Sequence, residues 1–445
     1  MVRNHTQFMK PSLLLLSLLF FAGCQQEYSF SEDVPVKHSA TEGNSKLSTR
    51  IDYREALEIA EHGISMLESG PATRSATGIR TIDSNKVKYL VVPATRNTAR
   101  PDTLMYVFNF ADSAGFALVA ADRRADQLLA VTEQGCYTPG KPTGNPGFDW
   151  YMECTEAYLR SSVDDAAQPA GYIRDTTDYI FKLENDDKVE TAGPFLTVKW
   201  GQDTPYNMYC FNADKKSCYS GCVATAIAQI MTYHSHPSSI RLTYSGTSKT
   251  SQPLDWDTMK RHVETGFCGS DCTGHEMIGQ LLREIGQQVK MRYGYDGSNS
   301  GAVNEDVPAG LSRLGYSSSP LSDYDFKTVA ASLRKKKPVY MGGFDGDGRK
   351  GGHAWVADGF RIETYITRTW KSIPRTEMWI LDREEIDIRN YVHYNWGWNG
   401  LNNGYFSSSV FDVSAPHELD EGSFNIALGN FSRKVQTIAN ISPNL

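Results

Sequence analysis

The chain has 445 residues, enough for two or three hydrophobic cores, and its 22% charged and 40% hydrophobic residues are an ordinary globular balance. A net charge of −7 and an isoelectric point near 5.8, with residues 334–337 the densest basic run, exclude nucleic-acid binding as the basis of function.

In chain order, Arg3 and Lys10 precede an apolar core at 13–22, too short for the roughly 20 residues that a bilayer span needs, and Gly23 and Cys24 follow. Residues 1–23 therefore read as an export signal. The small-small-Cys ending resembles the cleavage site of bacterial lipoproteins, which makes Cys24 a lipidated first residue anchored to a membrane. Phe21 departs from the usual leucine there, so plain secretion is the alternative. Residues 24–50 are polar and poor in aromatics, the composition of a flexible tether.

Ala56, Leu57, Ala60, Ile64 and Leu67 recur at helical intervals and predict a helix over 53–68 that stops at Ser69-Gly70. Strand patterns follow at 87–92, 104–110 and 116–121, the last two joined as a hairpin through residues 112–115, and a second helix is expected around 150–162. Residues 51–190 thus read as a small α+β unit. Its polar, Asp- and Thr-rich end at 174–191 reads as an exposed connection and a domain boundary. The larger unit, 191–445, shows helical patterns at 223–234, 275–288, 303–314 and 326–336, then strands at 338–344, 353–360, 378–382, 391–396 and 404–407.

Chemistry concentrates in four short runs of the larger unit. Cys222 opens GCVATAIAQIMTYH, which places a thiol at a helix N-terminus, where backbone N–H groups and the helix dipole lower its pKa toward a nucleophilic range. His353 begins the strand HAWVADGF behind Gly351-Gly352 and shares a face with Trp355 and Ala357. In HYNWGWNG, Asn395 offers an acceptor for the second nitrogen of an imidazole base, and Trp396 a screen against water. Gln202, twenty residues before the thiol, offers an amide that with the Cys222 backbone N–H would form a two-donor oxyanion hole.

Of eight cysteines, Cys210 with Cys218 and Cys268 with Cys272 close short loops and are candidate disulfides in an oxidising compartment, which leaves Cys222 reduced. A zinc site from Cys218, Cys222, Cys268 and Cys272 is the rival, disfavoured because both spacings are C-x3-C and the run after Cys222 is helical.

WGQDTPYN, GCVATAIAQIMTYH, GGHAWV and HYNWGWNG occur in the order and at roughly the spacing of the streptopain family of bacterial cysteine peptidases, which the chain resembles over most of 193–445. More loosely, FALVAADRRADQLLAV resembles that family's propeptide. The resemblance implies an α+β chain with a papain-like catalytic domain, whose helical part carries the cysteine and whose antiparallel sheet carries the histidine, behind an inhibitory propeptide. It places the nucleophile on Cys222, the general base on His353, the oxyanion glutamine on Gln202 and the asparagine-tryptophan pair on Asn395 and Trp396. Ser300 or Asn299, with Gly352 opposite, would border the substrate cleft. Residues 361–392 are longer and more charged than the family pattern needs, so specificity is expected to differ.

The expected reaction is hydrolysis of protein substrates through a thiolate–imidazolium pair and an acyl-enzyme, without metal or organic cofactor. The front unit would inhibit until cut within 174–191. The alternatives are acyl transfer to an amine and a surface-binding lipoprotein on the same fold.

Overall fold

The computed structural model describes residues 49–69, 80–92, 102–164, 181–242, 250–261, 273–297, 299–345, 350–373, 376–411 and 433–444. The export signal, Cys24 and nearly all of the tether lie outside this set, as do Cys268 and Cys272.

Helix α1 (Tyr53–Glu68) forms where its apolar spacing places it. Asp52 caps it, accepting from the Glu55 amide at 3.0 Å, and Ala56, Ala60, Ile64 and Leu67 are buried along one face. An antiparallel meander follows, β1 (Ile82–Val92), β2 (Asp102–Phe110), β3 (Phe116–Ala120) and β4 (Leu128–Thr132), then α2 (Pro146–Asp164). The connection to the larger unit contains β5 (Phe181–Asn185) and β6 (Lys188–Ala192).

The larger unit opens with α3 (Cys222–His234), the short pair β7 (Ser239–Leu242) and β8 (Thr250–Pro253), α4 (Trp256–Arg261) and α5 (Thr273–Gln288). Next come β9 (Arg292–Asp296), β10 (Asn299–Gly301), α6 (Val307–Arg313), β11 (Tyr316–Ser317), β12 (Ser322–Asp323) and α7 (Phe326–Arg334). The last part is strand-rich: β13 (Val339–Asp345), β14 (Lys350–Ser372), β15 (Trp379–Asn395), β16 (Gly404–Ser407), β17 (Arg433–Ile438) and β18 (Ser442–Pro443). The expected α+β class, helices before strands in the larger unit, is present.

One sheet runs through both units in the order β1-β2-β3-β4-β16-β15-β14-β13-β17-β12, with β5 and β6 also on β14. The join is β4 against β16, where Thr132, Val131 and Ala130 face Gly404, Tyr405 and Phe406. Position 190 lies inside β6, whose residues pair with Thr364 to Phe360 of β14, and residues 47–445 form one compact unit. The polar connection is held by backbone hydrogen bonds, which do not require an apolar pattern.

β14 and β15 pair from Val356 opposite Asn395 to Ser372 opposite Trp379, so residues 361–392 form a long hairpin. The two sides of β14 near its start bury different cores. Trp355 and Ala357 pack with α2 and α7, whereas Ala354 and Val356 pack with α3 and α5.

Candidate active site

Gly221, with φ of 91°, turns the chain into α3, and a side chain there would have no room: a Cβ would lie 2.7 Å from Met291 Cε and 3.3 Å from the Ser300 carbonyl. The Cys222 thiol follows on the α3 side of the sheet, packed against the core that contains Ala354 and Val356. Burial pushes the thiol upward, while the backbone N–H groups of Ala354, Val223 and Cys222 itself pull it down. The net direction in the precursor is upward, opposite to the lowering that the helix end alone would give, because desolvation outweighs the backbone donors.

His353 is on the opposite face. Its ring stacks on Trp355 at 6.4 Å and 12° and lies 6.4 Å from the Trp396 ring. Nε2 donates to the Trp396 carbonyl at 2.8 Å, which fixes the protonated nitrogen because a carbonyl only accepts. Burial lowers the imidazole to about 4, so it is neutral at ordinary pH. Helix α2 of the front unit covers it: a Cβ on Gly147 would lie 2.3 Å from His353 Cδ2 and 2.7 Å from Nε2. The thiol and the imidazole thus occupy the two sides of one strand, and no hydrogen bond joins them among the described residues.

The remaining sequence candidates gather around this strand with altered roles. Gln202 is buried, and its carbonyl accepts from the Ser220 amide at 2.9 Å, which brings it to the loop that leads into Cys222. Ser300 is buried beside Gly221, its hydroxyl without a hydrogen-bond partner among the described residues, whereas Asn299 is exposed and Gly352 sits exposed on β14 opposite Phe344. Trp396 is wholly buried, its indole donating to the Asn402 carbonyl at 3.0 Å. Asn395 corrects the expectation: its amide donates to the Val198 carbonyl at 2.9 Å and its oxygen accepts from the Gly397 amide at 3.1 Å, so it does not hold His353 here. The Cys210–Cys218 disulfide is likewise absent. Both thiols are free and buried; Cys218 donates to the Lys216 carbonyl at 3.4 Å, and burial pushes the Cys210 thiol up to about 11.

A buried charge cluster was missed. Asp358 on β14 accepts from His393 Nδ1 at 2.6 Å, and His393 Nε2 reaches Glu133 of the front unit at 3.3 Å, while Lys199 bonds the same carboxylate at 2.9 Å. Burial alone would lower His393, but Asp358 and Glu133 together raise it to about 9; Glu133 is held far below the usual carboxylate range. The signal was available, because an aspartate inside the apolar run HAWVADGF needs buried hydrogen-bond donors or a cation.

Residues 200–406 match the Peptidase C10 family, and residues 48–158 match the Spi protease inhibitor family. This chain carries a Peptidase C10 domain. The inhibitor domain ahead of it contains α1, β1 to β4 and most of α2, and the C10 domain contains Cys222, His353 and Gln202. The C10 domain is that of a cysteine peptidase. The chain is similar to the thiol protease/hemagglutinin PrtT of Porphyromonas gingivalis, 23% identical over 417 residues, which cover 85% of this chain and 42% of that protein. It is also similar to streptopain of Streptococcus pyogenes, 24% identical over 373 residues, covering 76% of this chain and 81% of streptopain. Among solved structures, a prointerpain A fragment from Prevotella intermedia aligns with a TM-score of 0.48 and 22% identity, over 79% of this chain and 97% of that one. Active interpain A gives 0.37 and 23%, over 56% of this chain and 94% of that one.

Proposed function

We propose that the chain is the precursor of an exported cysteine endopeptidase, held inactive because α2 keeps His353 on the side of β14 away from Cys222. The observation that carries this reading is the Gly147 contact, where the front unit touches the imidazole with no space for a methyl group. Cleavage within 174–191 lets the front unit depart. The bond from His353 to the Trp396 carbonyl then breaks, Gly351 and Gly352 allow the chain before the histidine to turn, and the ring moves to the thiol side, next to Ala354.

The chemistry that follows is thiol acyl transfer. His353 takes the Cys222 proton, and the thiolate attacks the peptide carbonyl. The oxyanion sits between the Gln202 amide and the Cys222 N–H, donors worth about 2.7–4 kcal/mol each in such sites. His353 gives its proton to the leaving amine, then takes one from the water that hydrolyses the thioester. Ser300 and Gly352 border the cleft. Trp396 shields the imidazole in the precursor, and Asn395 fixes the two chain segments beside it. The signal at 1–23 directs export, with Cys24 as the lipid attachment point.

The test is Cys222→Ala in the full chain. Self-processing and hydrolysis of an unfolded protein should both fall by about a thousandfold or more. Hydrolysis that persists within about tenfold of the parent contradicts the reading.

A further inference from the structure

Gln202 stands at the end of an irregular segment that has no strand partner among the described residues. Side chains from three elements hold that segment instead. The Phe195 amide donates to the Asp358 carbonyl and the Leu196 amide to Asp358 Oδ2, both at 2.9 Å. Asn395 donates to the Val198 carbonyl at 2.9 Å, and the Trp200 amide donates to Gln229 Oε1 on α3 at 3.1 Å. The Trp200 carbonyl accepts from Asn399 at 3.2 Å, two residues before Gln202.

Asp358 is the most committed of these holders. It is 1% exposed, and its second carboxylate oxygen receives His393 Nδ1–H. His393 is itself buried, with its ring edge-on to Tyr405 at 5.1 Å. A buried carboxylate with one oxygen fixed by an imidazolium has the other fixed in direction as well. In the precursor the segment has an additional tie through Lys199 to Glu133 of the front unit. That tie leaves when the front unit leaves, whereas Asp358, His393, Asn395 and Gln229 all belong to the part that remains.

The geometry points to Asp358 and His393 as positioning residues for the oxyanion hole: together they set the path of the segment from Phe195 to Gln202, so that the Gln202 amide meets the developing charge. The inference rests on the proposed role of Gln202. Neither residue touches substrate, and both act through the backbone at Leu196.

A double-mutant cycle separates positioning from general stability. Full chains carrying Asp358→Asn, Gln202→Ala or both are processed by immobilised parent enzyme and freed of it. kcat and KM are then measured on a small peptide amide per iodoacetamide-titratable thiol. Asp358→Asn alone should lower kcat by about tenfold with KM within about twofold, and by less than about twofold when Gln202 is already alanine. An equal loss of kcat in both backgrounds, or no loss in either, overturns the inference. If Gln202→Ala alone leaves kcat unchanged, the oxyanion role itself fails, which is a distinct result and removes the inference with it. Should Asp358→Asn yield no titratable thiol, His393→Gln runs the same cycle with the same criteria.

Discussion

At the scale of single residues, the chemistry-bearing types and their order are legible in the sequence, and their orientation is not. A strand offers two faces. The run HAWVADGF shows that His353, Trp355 and Ala357 share one of them, but not which core that face meets. The structure places them against α2, and Gly147 is the residue that makes the contact close. Replacing Gly147 with alanine introduces an overlap that such sites relieve at a cost of about 1–3 kcal/mol. Self-processing of the full chain, followed on gels, should therefore start about tenfold sooner, and an unchanged or slower onset would contradict the contact.

The same histidine gives the precursor a pH dependence with a defined sign. Its folded value of about 4 lies below the ordinary 6.5, so the unfolded chain binds the extra proton between those limits. The folded arrangement keeps its full stability above about pH 6.5 and loses up to about 1.4 kcal/mol per unit as pH falls toward 4. Urea unfolding of the Cys222→Ala full chain should show this loss between pH 6.5 and 4.5. His353→Asn in that background should remove part of it; identical losses in the two chains would sink the assignment.

At the scale of elements, amphipathic helices were readable because their apolar residues recur every three or four positions and bury a single face, as in α1 and α5. β5 and β6 were not. Four of their ten residues are charged, and the apolar Leu183 and Val189 are exposed, because these strands bind through the backbone edge of β14. The long β14–β15 hairpin was visible only as an excess of charged sequence at 361–392, although Ile366 opposite Ile386 and Arg368 opposite Glu384 are ordinary cross-strand pairs. Shortening it by joining Tyr365 to Asp387 through a two-residue turn removes the partner of β5 and leaves Glu363 in place. Limited proteolysis should then cut within 181–185 at least about tenfold faster than in the parent; an equal rate would mean that the pairing does not protect the connection.

Across the whole molecule, the front unit adds strands to the edge of the catalytic sheet and places charged groups into its surface. Glu133 enters between His393 and Lys199, and His62 on α1 meets the buried Glu363, where Arg361 and Tyr365 also bind. Burial would raise Glu363, yet these three partners hold it at about 2. The sequence could not show the contacts that cross between the two parts, because Glu133 and His393 stand 260 residues apart and His62 and Glu363 stand 301 apart. A boundary inferred from a polar stretch says nothing about the sheet that crosses it.

The central claim is that removal of the front unit transfers His353 from one side of β14 to the other. The most direct measurement is the pH titration of its imidazole by NMR in the Cys222→Ala full chain, before and after the front unit is cut away by an added protease. A midpoint near 4 in the intact chain that rises toward 6.5 after removal is the predicted result. The same midpoint in both forms, or an ordinary one in the intact chain, would contradict it.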